Sequence, residues 1–363
     1  MMIYLFTPVE ENGGILQFSV TFAVALQKIH DCMLFVPDTV NSKFLTILSG
    51  RYKTYKKIKS INMYHPGIVT LCNQIAEDKP EHVVFLEDSI LMQQMCCLLH
   101  NKSISGSVVV HDTIHHPCNN MTYRKKIIEL LRQLLTKKTV NTAENIILLS
   151  NHSKEEFHNQ NKRCKAQKII MRLGAHVPSA IPACPQELDG CVGKYILFFG
   201  RIDKYKGIED LCNAYNTLSK DLQKSLKLII AGKGVFSDKE LQLIKNSENI
   251  ITINRFIEDQ EMLWLTKNSE IVALPYIEAT QSGVLPIAYH YGKPIIIRNL
   301  PGLVENAEIG KTAVVFDTVS ELSILLEKTA NNELKFQTQD ICNYYSENFN
   351  WENNIHKLLE QII

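Results

Sequence analysis

Apolar positions along the chain fall into short, nearly continuous runs, separated by longer stretches where they return at helical spacing. In the first half the runs are 3–8, 32–36, 82–86, 107–111, 145–150 and 168–173. They are rich in Val, Ile and Phe and scarcely alternate, as strands covered on both faces do. Helical patterns over 13–29, 89–100 and 122–137 lie between them. A second series follows, with strands predicted at 195–199, 226–231, 249–254, 270–275, 294–298 and 312–316. Its helices fit 208–219, 239–246, 259–267 and 285–291, and residues from about 318 to 363 read as mostly helical. Such alternation builds parallel βαβ units. The predicted fold class is α/β, with two doubly wound domains at 1–177 and 194–345. Between them, 178–193 holds three prolines and two glycines and reads as a linker. The segment 346–363 reads as a C-terminal helix.

Composition narrows the classes. With 363 residues the chain is long enough for two self-sufficient cores. A net charge of +1 argues against a nucleic-acid coat, so no nucleic-acid partner is expected. That sum hides an asymmetry: residues 1–180 are net +7 and residues 181–363 net −6. The ten cysteines include no C-x-x-C pair, which fits free thiols in a reducing cytoplasm. No apolar run is as long as a membrane span, and the first ten residues lack the marks of a signal peptide. A cytoplasmic location is expected.

Open parallel sheets hold ligands at the carboxyl ends of their strands, so those junctions are where chemistry is sought. After the first strand come Gly13 and Gly14, paired before a helix, where backbone can approach an anion; a plain βα turn would look the same. The run ending at His111 continues into Asp112, His115 and His116. A histidine there can meet a sugar or phosphate. A zinc site would use the same histidines, but no partner spacing accompanies them. At the head of the second series, Gly200-Arg201 is followed five residues on by Lys206, then Gly207 and a helix. Arg offers a planar fork and Lys a point charge, both suited to a diphosphate. The strand at 270–275 leads to Glu278, whose carboxylate can accept sugar hydroxyls. Ser282, Gly283 and Val284 then place backbone amides at a helix start, ready for phosphate.

Taken together these segments resemble the retaining glycosyltransferases of family 4. The resemblance implies the GT-B architecture, two facing Rossmann-like domains with an interdomain cleft. It covers almost the whole chain and is strongest from 195 to 316. Gly200-Arg201 to Gly207 and Leu211 is similar to the family's donor-diphosphate loop, with Arg201 and Lys206 in its basic positions. Gly232, in Ala231-Gly232-Lys233-Gly234, resembles the next glycine turn; Gly292-Lys293-Pro294 and Pro301-Gly302-Leu303 match the stretch after the acidic motif. Gly13 and Gly14 resemble the family's N-terminal glycine loop, and His111 its cleft histidine. The segment opening at Trp351 is similar to the last helix, which crosses back onto the first domain.

The implied function is transfer of a hexose-type sugar from a nucleotide diphosphate sugar to a glycan or lipid-linked glycan, with retention. His111, Arg201, Lys206 and Glu278 are the implied catalytic set. Gly13, Gly14, Gly200, Gly232, Ser282, Gly283 and Val284 are the implied donor-binding set. No metal or other cofactor is expected: two cations already face the diphosphate and no Asp-x-Asp is present. One departure stands out. The family's two glutamates lie eight apart, yet Ile287 occupies the second position, and Glu278 sits one residue before the first. That leaves two alternatives, another GT-B nucleotide-sugar enzyme such as an epimerase, or a non-catalytic nucleotide-sugar-binding protein. A nicotinamide enzyme is disfavoured, since neither first strand is followed by G-x-G-x-x-G.

The basic half suggests a further partner. Arg51, Lys53, Lys56, Lys57 and Lys59 cluster, and Arg124-Lys125-Lys126 precedes an apolar stripe at Ile127, Ile128, Leu131, Leu134 and Leu135. Cations beside an apolar stripe suit an anionic membrane surface, although an ordinary core-facing helix would look similar. Peripheral attachment to the cytoplasmic face, beside a lipid-linked acceptor, is the corresponding expectation.

Overall fold

A computed structural model describes residues 2–9, 14–58, 62, 64–111, 113, 134, 139, 141–177, 180–188 and 193–363, the side chain of Phe44 aside. The chain divides into two compact units, Met1–Leu173 with Trp351–Ile363, and Gly174–Asn350.

The first unit holds a parallel seven-stranded sheet. Its strands are β1 (Ile3–Phe6), β2 (Cys32–Pro37), β3 (Tyr52–Tyr55), β4 (His82–Phe85), β5 (Gly106–Val110), β6 (Asn145–Leu148) and β7 (Gln167–Ile170). They lie in the order β3-β2-β1-β4-β5-β6-β7. The continuous apolar runs are explained by burial on both faces. Ile3 and Leu5 of β1 enter one core, with Phe18 and Phe22 of the helix α1 (Gly14–Gln27). Tyr4 and Phe6 enter the other, where Phe6 stacks on Phe35 with centroids 4.4 Å apart.

Two helices of this unit and one strand go beyond the sequence expectations. Helix α2 (Pro66–Asp78) buries Ile68, Cys72 and Ile75 and is capped by His65, whose Nδ1 accepts from the Gly67 amide. The helix at Ile90–His100 is α3. Helix α4 (Asn151–Gln160) buries only Ser153 and Phe157, so its sequence carries almost no apolar period. Strand β3 is an edge strand in the basic cluster: Lys53 and Thr54 face solvent, while Tyr55 is buried and its hydroxyl donates to the Thr7 carbonyl at 3.0 Å. At the amino ends of β4–β6 three buried polar side chains meet. His82 Nε2 lies 2.7 Å from Ser107 Oγ, and Asn145 donates to the same hydroxyl at 3.1 Å.

The second unit repeats the pattern with six parallel strands: β8 (Lys194–Phe199), β9 (Leu226–Ala231), β10 (Ile250–Ile253), β11 (Ile271–Leu274), β12 (Ile295–Arg298) and β13 (Ala313–Phe316). Their order is β10-β9-β8-β11-β12-β13. The covering helices are α5 (Ile208–Asn216), α6 (Lys220–Ser225), α7 (Asp238–Lys245), α8 (Asp259–Asn268), α9 (Val284–His290), α10 (Pro301–Val304), α11 (Val319–Ala330) and α12 (Thr338–Asn348).

The boundaries differ from the expected ones. The described part of 178–193 is not a free connector. Leu188 is buried in the second core, the Ala183 amide donates to the Gln260 carbonyl at 3.0 Å, and Glu187 is gripped by Arg255. The Arg255 guanidinium forks onto Glu187 and Glu261 with four contacts of 2.7–2.8 Å. Those bonds hold both carboxyls below the usual carboxylate range. The second unit runs on to Asn350, and only then does α13 (Trp351–Ile362) join the first. Trp351, Ile355, Leu358 and Ile362 form the buried stripe of α13. Trp351 packs on Phe18 and Phe22 at 5.5 and 6.2 Å, and Asn354 donates to the Arg172 carbonyl. Each large side chain so buried contributes about 1.5–3 kcal/mol.

Candidate functional site

In the second sheet the strand order reverses between β8 and β11. The loops leaving those two strands therefore flank the crevice where an open parallel sheet takes its ligand. They are the loops that carry Gly200, Arg201 and Lys206 on one side, and Glu278 and Ser282–Val284 on the other.

Backbone contacts zip them together. After β8 the chain makes a 3-10 turn, Lys204–Lys206, closed by Gly207 at φ +69°. A Cβ on Gly207 would lie 2.0 Å from the Pro275 carbonyl oxygen, so only glycine lets the two loops approach this closely. One residue further on each side, the Ile277 amide donates to the Tyr205 carbonyl at 2.7 Å. The β8 loop is also fastened to the one after β9. Gly232 sits at φ +151°, and a Cβ there would meet the Gly200 carbonyl oxygen at 1.7 Å. The Ile202 amide donates to Lys233, and the Gly234 amide to Asn254 Oδ1.

This frame presents both expected cations, beside the exposed Lys204 and Lys233. Arg201 is exposed and Lys206 half-buried, and among the described residues neither forms an ion pair. The Lys206 ammonium rests over aromatic rings, 3.6 Å from the centroid of Tyr276 and 4.9 Å from that of Tyr205. Tyr276, which the sequence reading passed over, is buried at 1% exposure, and its hydroxyl lies 3.3 Å from Ser282 Oγ. Its signal was an aromatic residue directly after a strand, which by itself predicts only core. Arg298, at the end of β12, is committed to the scaffold. It pairs with Asp210, donates to the Pro275 carbonyl at 3.3 Å and stacks on Phe316.

The acidic loop agrees only partly with expectation. Glu278 is exposed, and Gly283 caps α9. The Val284 amide, expected to face phosphate, donates to Ser282 Oγ at 3.3 Å. Gln281 keeps its Oε1 buried, with no hydrogen-bond partner among the described residues. Ile287 lies in the core at 7% exposure, on the buried face of α9, so that position offers nothing polar to a ligand.

In the first unit Gly14 opens α1, and a Cβ there would meet nothing within 4 Å; Gly13 lies outside the described residues. His111 follows β5 and is buried at 8% exposure. Its Nε2 donates to the Leu86 carbonyl at 2.8 Å, and its ring meets Phe18 edge-on at 4.6 Å. Nε2 is thus occupied by backbone. Asp112, His115, His116, Lys59 and most of 124–138 lie outside the described residues; Leu134 of the apolar stripe is described and is exposed. Within the basic cluster Lys53 and Lys56 are exposed, Lys57 is half-buried, and Arg51 lies 4.0 Å from Asp31.

Residues 193–331 match the family described as Glycosyl transferases group 1. An uncharacterised glycosyltransferase of Methanocaldococcus jannaschii is 27% identical over 177 residues; the alignment covers 46% of this chain and 45% of that protein. The chain thus spans about half the length of this curated relative. Among solved structures, the lipopolysaccharide outer core galactosyltransferase WaaB superposes with TM-score 0.70 at 13% identity, over 100% of this chain and 99% of its own. Anabaena HepE in complex with UDP-glucose gives 0.71 at 15% identity, over 99% of each chain. The sucrose-phosphate synthase of Thermosynechococcus elongatus gives 0.73 at 15%, over 99% and 98%. The α/β fold is therefore that of the GT-B glycosyltransferases.

Proposed function

We propose, starting from the Glycosyl transferases group 1 region at residues 193–331, that the chain is a retaining glycosyltransferase. It moves a hexose-type sugar from a nucleotide diphosphate sugar to a glycan or lipid-linked glycan. The observation that carries this reading is the pair of cations, Arg201 and Lys206, that no carboxylate neutralises among the described residues, at the reversal point of the second sheet. A doubly charged leaving group fits that place. The similarity to HepE, solved with UDP-glucose, makes UDP-glucose the first donor to try.

Arg201 and Lys206 hold the departing diphosphate, and catalysis is chiefly positioning and charge stabilisation. The leaving phosphate takes the acceptor's proton, so no protein nucleophile is needed. Glu278 accepts hydroxyls of the donor sugar. Gly200 and Gly232 let backbone approach the donor, as do Gly13 and Gly14, and the Ser282 and Gly283 amides serve the phosphate. His111 is assigned to contact with the sugar or phosphate. The protein cations take the place of Mg²⁺, so transfer persists in EDTA. The exposed Lys53 and Lys56 support an anionic membrane surface as partner, with a lipid-linked acceptor.

One observation favours a second reading. With Ile287 buried in the core, no carboxylate at that position holds the ribose, as in a nucleotide-sugar-binding protein that does not turn over. Screening nucleotide sugars for thermal stabilisation and for slow hydrolysis separates the two. Stabilisation with hydrolysis supports the enzyme; stabilisation without hydrolysis or transfer to any glycan supports the binding protein. Failure of every nucleotide sugar to stabilise the chain would refute both. Glu278→Ala should lose most activity and Glu278→Gln only part, and trapping a covalent glycosyl adduct on Glu278 would refute the assigned mechanism.

A further inference from the structure

We infer that Tyr276 is a positioning residue for Lys206, an aromatic seat that fixes the ammonium without neutralising it. The inference rests on the donor-binding role proposed above for Lys206. A lysine carries a compact charge on a flexible four-carbon stem, and something must restrain it if it is to meet a developing anion in one geometry. A carboxylate could do so, but it would cancel the charge. A ring face attracts the ammonium through its quadrupole and leaves the full positive charge for a ligand. Here the ammonium is 3.6 Å from the Tyr276 centroid, with the Tyr205 ring at 4.9 Å.

The seat is itself fixed. Tyr276 is 1% exposed, so its ring cannot swing away without opening the core. The Ile277 amide, next in the chain, is bound to the Tyr205 carbonyl, and Gly207 closes against Pro275. These contacts tie the seat to the loop that carries the lysine. At its far end the Tyr276 hydroxyl lies 3.3 Å from Ser282 Oγ, which also accepts the Val284 amide. One buried side chain therefore links the cationic loop after β8 to the turn that opens α9. The ring is the part that sets the lysine.

The test has one arm that needs no donor. Lysine amines of the whole chain are ¹³C-methylated and read by NMR, with Lys206 assigned by the signal lost in Lys206→Ala. Ring currents should carry that signal well upfield of the other lysines in the wild type and in Tyr276→Phe. An ordinary lysine position in the wild type would overturn the seat. The second arm is a double-mutant cycle on hydrolysis of UDP-glucose. Tyr276→Leu should lower turnover roughly tenfold, between the size of an exposed and of a desolvated cation–π contact, and Tyr276→Phe should recover most of that loss. On the Lys206→Ala background Tyr276→Leu should cost nothing more. A full tenfold loss on that background would overturn the positioning role, because the tyrosine would then act independently of the lysine. An upfield Lys206 signal in a wild type that neither binds nor hydrolyses any nucleotide sugar would sustain the seat and refute the donor-binding role.

Discussion

Replacing Gly207 by alanine tests whether the two loops at the reversal point work as one unit. The added Cβ would sit 2.0 Å from the Pro275 carbonyl oxygen and 2.8 Å from its carbon. An ordinary contact needs more than a further ångström, and backbone on both sides leaves no flexible side chain to yield. Holding alanine at φ +69° costs about 1–2 kcal/mol. Separating the loops also breaks the Tyr205–Ile277 hydrogen bond, at about 1 kcal/mol. The total is about 2–3 kcal/mol, within the range of strained-site substitutions. In urea the midpoint should fall while the transition stays cooperative. Lys206 would be displaced by about an ångström, and a misplacement of that order costs roughly 10²-fold in turnover. Donor hydrolysis should thus fall nearly as far as in Lys206→Ala, although the lysine is intact. A wild-type midpoint, or a lowered midpoint with undiminished hydrolysis, would refute the claim that Gly207 holds the two loops in register.

Arg201→Ala and Lys206→Ala should each lower turnover by roughly 10²-fold or more; Arg201→Ala should leave the melting temperature unchanged, since the exposed arginine forms no ion pair among the described residues, while Lys206→Ala should lower it only by the loss of its contact with the Tyr276 ring; near-normal transfer by both would remove the centre of the functional reading. The chain should bind anionic vesicles at low salt and release them as salt rises, and Lys53→Glu with Lys56→Glu should abolish binding, because each cation near such a surface contributes about 1 kcal/mol. Indifference to vesicles at low salt would point to a soluble glycan acceptor. Burial lowers the pKa of His82 below 6.5. Below pH 6.5 the unfolded chain therefore takes up a proton that the folded chain resists, so stability is full above that pH and falls as the solution is acidified. His290, lowered by burial in the second unit, adds to the same slope. His82→Gln should flatten the fall in urea midpoint between about pH 6.5 and 5, and an unchanged slope would show that His82 does not set it.

Much of the fold was legible because doubly covered strands have no alternation to disguise them. The runs around Leu5, Val84 and Val109 in the first unit, and around Leu197, Ile229 and Ile296 in the second, fall within a residue or two of their predicted ends. Strand β3 escaped because an edge strand buries little: its Lys53 and Thr54 look like loop, and only Tyr55 belongs to the core. Helix α4 escaped for a similar reason, with Phe157 its one buried apolar residue. The segment around Leu188 reads as linker by its prolines, yet Arg255, far along the chain, fastens Glu187 down. At the site, strand ends located Arg201, Lys206 and Glu278. What a strand end cannot reveal is which group already has an internal partner. Tyr276 acquires its role only by lying beneath a lysine seventy residues upstream, and the Val284 amide is taken by Ser282.

The return of the chain to the first unit bears on how the protein is made. Gly174–Asn350 is, in covalent terms, an insertion between two pieces of one domain. As the chain leaves the ribosome, the inserted unit is complete while its host is still missing Trp351, Ile355, Leu358 and Ile362. Domains generally fold as units as they emerge, the first-made first. Here the unit begun before the other is completed after it, with Phe18 and Phe22 lacking their partner Trp351 until α13 arrives. A stop codon near residue 350 would therefore damage the unit that was begun first and spare the one just translated.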